Sequence, residues 1–508
     1  MVSRLIIDNN TQNYKNFIYD SDIKLNDSKE FIDFIDAGHE FLIKNIRNGR
    51  PIYGVTTGYG EAGQNYAAFE EAEELQYNLF SFHGCGVGEY LSRDVSRIMT
   101  TIRMISLSKG KSGISYDLLK RFELLLNKKI YPLIPSQGSV GASGDLTPLS
   151  YIAAVIAGER EVIYNGEVVP TSEVYKELDI EPYKFKPKEA LAIMNGTAAM
   201  SAIAIDAIEK FEILLETSES FVASIFELLL CDITPLEPFV HDSKPFDGQR
   251  KAAANILKKC ENSSLTHEAF SRYENFHLEK EQNIQDRYSI RCSPQVLGVI
   301  HDNLEIAKRW IETEINGVND NPLIDHIGKR IYTSGNFYGG YIAHAMDTMR
   351  ICVGNLADLL DKEFGLLVDH KFNKGLGESL KTNTKSTHHG FKAMQITLSS
   401  LTADVMMNTV PASLHSRPTE SFNQDKVSMG TTAALHFAKQ LPDLTNMLSI
   451  ALMGMAQGVD LRGKEKCSEF LQKNYETIRS EVKVLTNDRR MDIDIKAVNK
   501  MIKKGLFA

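Results

Sequence analysis

Long runs of helical periodicity constrain this chain more than anything else in it. Residues 189–231 keep apolar and polar positions at helical spacing, with only Gly196 as a breaker. Residues 294–316, 340–368, 390–409 and 428–457 do the same. Periodic patterns beyond about 25 residues without clear caps predict long bundle helices. Such helices carry apolar faces that only other helices can cover, so the spacing predicts a mainly α protein, a long-helix bundle, and an oligomer. Strand signals are few and lie in the N-terminal part. They are PIYGV at 51–55 and a hairpin in EVIYNGEVV at 161–169, turning at Asn165-Gly166. No internal repeat is visible.

A length of 508 residues suggests about three domains on length alone. No Pro/Ser-rich linker, low-complexity run or charge shift divides the chain, so a single body is expected. The net charge of −9 argues against a nucleic-acid partner, which asks for a basic face. Cys85, Cys231, Cys260, Cys292, Cys352 and Cys467 show neither CxxC nor metal spacing, which points to reduced, mostly packed thiols in a cytoplasmic protein. The opening MVSRLIIDNNTQNYKNF lacks the apolar core of a signal peptide. No stretch reaches the ~18 apolar residues of a membrane span.

The chemistry sits in GSVGASGDLTPLSY, residues 138–151. An Ala-Ser-Gly tripeptide compressed into a tight turn can attack itself. The nitrogen of Gly144 adds to the carbonyl of Ala142, two waters leave around Ser143, and a methylidene-imidazolone ring results. That ring is a strong electrophile, which no ordinary side chain provides. The tripeptide alone is weak evidence, since roughly one chain of this length in five contains it by chance. The whole run is more specific. Gly138, Gly141 and Gly144 give the loop backbone freedom, Asp145 can accept hydrogen bonds beside it, and Pro148 fixes its exit. The competing reading is a flexible Gly/Ser turn before a helix.

The chain also carries YGVTTGYG at 53–60, LQYNLFSFHGCGVGE at 75–89, LAIMNGTAAM at 191–200 and YSIRCSPQVLG at 288–298. NDNPLI at 319–324, GNFYGGYIAHAMD at 335–347 and ESFNQDKVSMG at 420–430 follow. In order and spacing these blocks resemble the aromatic amino acid ammonia-lyases: the histidine, phenylalanine and tyrosine enzymes and the related aminomutases. The resemblance implies the ammonia-lyase (fumarase/aspartase-like) helical fold. Residues 1–190 would carry the catalytic lid and electrophile loop, and 191–508 the central bundle and C-terminal helices. It implies a homotetramer whose active sites are each built from three subunits. The cofactor would be a methylidene-imidazolone from Ala142, Ser143 and Gly144, with no external cofactor and no metal, and the substrate a small aromatic amino acid.

Eliminating ammonia asks for two things: a better leaving group than an amine, and a base strong enough for a weakly acidic β-proton. The resemblance assigns the base to Tyr53, in a lid flanked by Gly54, Gly58 and Gly60. A phenol serves as a base only if neighbours lower its pKa; otherwise Tyr53 is a buried strand tyrosine. The family more often has Asn at 57 and Phe at 59, where this chain has Thr57 and Tyr59. Arg291 offers a bidentate fork for the substrate carboxylate, or else a structural salt bridge. Tyr288, three residues earlier, shares its face if the segment is helical. By resemblance Tyr288 lies beside the electrophile and Asn195 hydrogen-bonds the imidazolone oxygen and the substrate. Phe337 walls the ring, and Gln424 and Glu420 line the amino-group and aromatic end of the pocket, with Gly60 beside the substrate. Asn319 and Asn321 read as loop-holding residues. His388-His389 has no third ligand at metal spacing.

The pair Phe82-His83 stands where the family reads the substrate ring. Phenylalanine enzymes commonly carry Phe-Leu there, many tyrosine enzymes His-Leu or Ser-His, and histidine enzymes usually Ser-His. Phe82 would pack on an aromatic ring. His83 would bond a phenol or an imidazole nitrogen, or else is only a packed polar residue. Glu420 matches the phenylalanine and tyrosine types, and Asp425 stands where histidine enzymes usually have Glu. The expectation is therefore a tyrosine or phenylalanine ammonia-lyase giving the trans-arylacrylate. The runners-up are a histidine ammonia-lyase giving urocanate and an aromatic 2,3-aminomutase. A fumarase-type lyase would carry a GSSxMPxK-like loop, which is missing here. A catalytically dead scaffold would not keep Tyr53, Ser143, Asn195, Tyr288 and Arg291 together.

Overall fold

The periodic run that Gly196 interrupts folds as two helices, Glu189–Met194 and Ala198–Leu228. The interruption has a physical cause. Asn195 leaves the helix in an extended conformation (φ −86°, ψ 99°), and Gly196 pairs with Gly144 instead of continuing the helical ladder. The other four runs fold as Ser293–Ile315, Gly340–Val368, Lys392–Met407 and Gly430–Arg462, so the mainly α, long-helix expectation holds. Earlier helices include Lys29–Arg47, Ala72–Phe82, Arg93–Ser108, Tyr116–Asn127 and Leu146–Ile156. Ser28 and Ser92 cap two of them, accepting from the backbone N–H of Phe31 and Val95.

This computed structural model describes residues 4–11, 22–267 and 285–508. Residues 1–3 and 12–17 of the N-terminal stretch read above for a signal peptide lie outside the described residues. The chain divides into two compact units, and four of the five boundaries fall inside long helices. The first holds residues 1–206, 307–347 and 411–438; the second holds 207–306, 348–410 and 439–508.

In the first unit the helices Leu146–Ile156 and Glu189–Met194 are deeply buried. Ile152, Val155, Ile156, Ile193 and Met194 have no exposed surface. Each such side chain contributes about 1.5–3 kcal/mol of transfer free energy, before conformational entropy is subtracted. Both helices border the electrophile loop, so the loop is anchored on rigid core. The second unit has its own core, with Phe221, Phe226, Phe364 and Phe507 fully buried. There Glu227 accepts hydrogen bonds from the Ser468 N–H and hydroxyl, both at 2.7 Å.

Strands are short. Arg4–Ile7 pairs in parallel with Asp22–Leu25, and Val87–Tyr90 pairs antiparallel with Pro135–Gln137. Tyr131–Pro132, Glu161–Tyr164 and Glu167–Pro170 form a three-stranded sheet. The expected hairpin is there, with Asn165 (φ 51°) and Gly166 (φ 86°) both left-handed, as a type I′ turn requires. One further hairpin, Leu323–Asp325 with Arg330–Tyr332, lies beyond the N-terminal part.

The expected strand at 51–55 is not formed; the segment is a turn. Ile52 and Val55 are buried and mimic strand alternation. The threonines that follow capture the backbone donors a ladder would need. The Ile52 N–H donates to Thr56 Oγ1 (2.8 Å) and the Gly54 N–H to Thr57 Oγ1 (3.0 Å). Among the described residues, no helix is long and apolar enough to cross a membrane.

Candidate active site

The loop 138–145 enters the helix Leu146–Ile156 under tight restraint. Gly138, Gly141 and Gly144 all have positive φ. Gly144 (φ 71°) is the demanding one, because a Cβ there would lie 2.1 Å from the carbonyl oxygen of Gly196. The Asp145 N–H donates to that same oxygen at 2.8 Å. The Asp145 carboxylate is fully buried. It accepts from Ser139 Oγ (2.9 Å), from the Met200 N–H (2.8 Å) and from Thr431 Oγ1. Burial pushes this carboxyl above its ordinary range, and the hydrogen bonds oppose that rise. The 428–431 segment closes the other side, with the Met429 N–H donating to the Val140 carbonyl at 3.0 Å.

Two amides address Ser143. Asn195 Nδ2 donates to the Ser143 carbonyl at 2.7 Å, while Asn195 Oδ1 accepts from the Asn321 N–H at 2.6 Å. The backbone donor thereby fixes which way the Asn195 amide points. Gln424 Nε2 donates to Ser143 Oγ at 3.1 Å, and its Oε1 accepts from Thr419 Oγ1 at 2.6 Å. We expect Gly196→Ala to destabilise by about 1–3 kcal/mol or more, because its Cβ would lie 2.1 Å from Arg103 Nη1. A lowered Tm would register it.

Tyr53 Oη accepts from the Gly60 N–H at 2.7 Å. Gly60 (φ 57°) holds a left-handed conformation that favours glycine, and a Cβ there would displace the Glu420 carboxylate, whose Oε2 lies 1.5 Å from that position. Three influences act on the phenol. Burial raises its pKa most, the Gly60 N–H lowers it, and the nearby Glu420 raises it again. So among the described residues the Gly60 contact alone supplies the lowering that a tyrosine base requires. Glu420 is itself raised by burial. It stands in a left-handed run of three non-glycine residues, Glu420 (φ 48°), Ser421 (φ 50°) and Phe422 (φ 65°), a strained conformation that aims its carboxyl at Gly60.

These groups surround a cavity of about 220 Å³, smaller than the ~300–1,000 Å³ of pockets for drug-sized ligands. Tyr53, Gly60, Ala142, Ser143 and Asn195 line it. So do His83, Phe337, Glu420 and Gln424. His83 caps the helix Ala72–Phe82, and its Nδ1 is 2.9 Å from the Leu79 carbonyl. That contact needs a proton on Nδ1, which leaves Nε2 of the neutral ring as a bare acceptor. Burial lowers the imidazole pKa and favours this neutral form.

The remaining expected residues lie elsewhere. Phe82 is 60 % exposed and stacks beside His83, with ring centroids 4.2 Å apart. Tyr288 and Arg291 belong to the second unit, and neither lines the cavity. They share a short helix, Tyr288–Arg291, as their spacing required, and the guanidinium lies 4.6 Å from the Tyr288 ring centroid. Tyr288 is 73 % exposed.

Several wall residues carry no cavity signal in the sequence. Asn321 holds the loop, as its motif suggests, accepting from the Ser334 N–H at 2.7 Å, and it also lines the cavity. Tyr59, Asp425 and Lys426 line it too, and the last two follow directly on Gln424. Tyr59 takes its hydroxyl away from the lid, bonding the Leu75 carbonyl (3.4 Å) and Gln76 Nε2 (3.3 Å). Among the described residues no cluster of His, Cys, Asp or Glu could hold a metal ion.

The sequence pattern of the aromatic amino acid lyase family matches residues 12–480. A histidine ammonia-lyase of Geobacillus sp. (strain WCH70) is 37 % identical over 476 residues, covering 94 % of this chain and 91 % of the relative. The tyrosine aminomutase of Streptomyces globisporus superposes with a TM-score of 0.94 at 31 % identity, over 99 % of this chain and 98 % of that one. The phenylalanine aminomutase of Pantoea agglomerans gives a TM-score of 0.95 at 29 % identity, over 99 % and 100 %. Sequence, fold and loop geometry agree: the chain belongs to the aromatic amino acid lyase family and is a carbon–nitrogen lyase.

Proposed function

We propose that this protein eliminates ammonia from an aromatic L-amino acid whose ring carries a hydrogen-bond donor, tyrosine first, to give the trans-arylacrylate. The observation that carries the reading is His83, with Nδ1 committed to Leu79 and Nε2 left as an acceptor in the cavity wall. A phenolic O–H can satisfy that acceptor; a phenylalanine ring cannot, and would leave it buried and unpaired. Of the two substrates favoured by sequence, tyrosine therefore stands ahead. Histidine is the second reading, since its imidazole N–H fits the same acceptor and the Geobacillus relative is a histidine ammonia-lyase.

The residues fit a methylidene-imidazolone made from Ala142, Ser143 and Gly144. The tripeptide is compressed against Gly196, and the Ser143 carbonyl, which would become the ring oxygen, already accepts from Asn195. When formed, the group supplies an electrophile for the departing nitrogen. The chain's own side chains do the rest. Asn195 and Asn321 hold the carbonyl in place, and Gln424 stands by the hydroxyl position of Ser143. Tyr53 takes the β-proton, His83 orients the ring, and Phe337 walls the loop.

Among the described residues no arginine lines the cavity. The substrate carboxylate therefore docks on Arg291 of another subunit, with Tyr288 beside it, in a homotetramer that shares its sites. The whole chain, 1–508, acts as one catalytic body in the cytoplasm, with lid and loop in 1–190 and the helical bundle in 191–508. No external cofactor enters the scheme.

Purified protein given L-tyrosine, L-histidine and L-phenylalanine in turn tests this, with ultraviolet spectra and released ammonia read in parallel. A growing arylacrylate band with tyrosine supports the reading. A urocanate band with histidine alone moves the assignment to the second reading. A β-amino acid product marks an aminomutase, and silence with all three overturns the scheme. We expect His83→Leu to lower kcat/KM for tyrosine by roughly 10²-fold and to lower it far less for phenylalanine. An equal loss for both would remove His83 from ring recognition.

A further inference from the structure

Beneath the loop lies a charge that the scheme above leaves unused. Arg103, on the helix Arg93–Ser108, is fully buried, and its Nε, Nη1 and Nη2 make no hydrogen bond among the described residues. Lys188, equally buried, pairs with Asp320, whose other oxygen accepts from Ser112 Oγ at 2.8 Å. Two buried cations thus share one buried carboxylate. Burial lowers the guanidinium pKa to about 10 and Asp320 opposes that fall, so Arg103 is charged at neutral pH.

A buried cation without hydrogen-bond acceptors is costly, and a well-packed apolar side chain serves stability as well or better. Its place in the fold suggests what it does. A Cβ on Gly196 would lie 2.1 Å from Arg103 Nη1, and a Cβ on Gly144 would lie 2.1 Å from the Gly196 oxygen. Gly144, the Gly196 backbone and the guanidinium are therefore stacked in direct contact, with no side chain between them. The Asp145 N–H pins the Gly196 carbonyl in that stack.

We propose that Arg103 is a positioning residue for the electrophile: its fixed charge, one backbone layer below Gly144, promotes closure of the Ala142–Gly144 ring. Closure joins the Gly144 nitrogen to the Ala142 carbonyl carbon. The first water carries off the Ala142 oxygen with the amide hydrogens of Gly144 and Ser143. The second carries off the Ser143 hydroxyl and its α-hydrogen. A cation in low dielectric beside this peptide acidifies the Gly144 N–H that closure must remove. The proposal rests on the reading that the tripeptide cyclises.

Intact-protein mass spectrometry separates the two claims without an activity assay. Wild-type protein should be lighter than its sequence by two waters, and Ser143→Ala should not. Arg103→Gln removes the charge and Arg103→Lys keeps it; circular dichroism and Tm establish that each is folded. Followed from synthesis onward, the Gln protein should lose its waters at least roughly tenfold more slowly than wild type, and the Lys protein should stay near the wild-type rate. If Arg103→Gln fails to fold, Arg103→Met is the neutral arm. A folded neutral variant that matures at the wild-type rate overturns the proposal, and so do Lys and neutral variants that are equally slow. A wild-type protein at full sequence mass would instead overturn the cyclisation reading beneath it.

Discussion

In the Ser143→Ala protein we expect turnover to fall at least ~10³-fold with little change in Tm. Only two things leave with the hydroxyl. One is a half-buried hydrogen bond from Gln424 at 3.1 Å, worth about 1 kcal/mol or less. The other is the oxygen whose departure opens the methylidene. The loop itself is held by backbone contacts and by Asp145, none of which involves Ser143 Oγ. Fold and electrophile therefore separate cleanly at this residue. Mass spectrometry should show the variant at its sequence mass, and near-ultraviolet difference spectra should lack the ring band. Ser143→Cys keeps a leaving group and should still cyclise. Full activity in Ser143→Ala would end the electrophile account.

Tyr53→Phe should behave in the opposite way, with the ring present by mass and spectrum and kcat down about 10²–10⁴-fold. The pH profile carries the sign. The base form is the phenolate, and burial and Glu420 together hold the phenol protonated, so kcat/KM should rise with pH toward the alkaline side. That rise belongs to Tyr53 and should flatten in Tyr53→Phe. Glu420→Gln removes the neighbouring negative charge and should move the rise to lower pH. A Tyr53→Phe enzyme with the wild-type rate and profile would transfer the base to another group, Tyr288 first.

Much of this was legible in the sequence because it depends on local spacing. The helices Gly340–Val368 and Ser293–Ile315 follow from apolar periodicity, and the Asn165-Gly166 turn from two left-handed residues. The contact of Arg291 with Tyr288 follows from three-residue spacing on a helix. Residues 51–55 misled because Ile52 and Val55 alternate like a strand, while Thr56 and Thr57 settle the backbone by capturing its donors. What spacing does not reveal is long-range satisfaction. The His83 tautomer depends on a carbonyl one helical turn away, and the orientation of Asn195 on a backbone N–H 126 positions away. Arg103 gives no sign of burial in the sequence, because an arginine is exposed in most folded proteins.

The clamps on the loop also set the order of events in the life of each chain. Asp145 is gripped by Met200 and by Thr431, and Val140 by Met429, partners as much as 289 positions apart. Until those distant segments have docked, nothing compresses the Ala142–Gly144 backbone, and a nascent or misfolded polypeptide stays chemically inert. On the proposed cyclisation, the reactive alkene would arise only in chains that have already passed the test of folding. Missing waters in a single mass spectrum would serve as a molecular receipt for correct assembly of this region, and the cell would be spared a soft electrophile on loose chain ends.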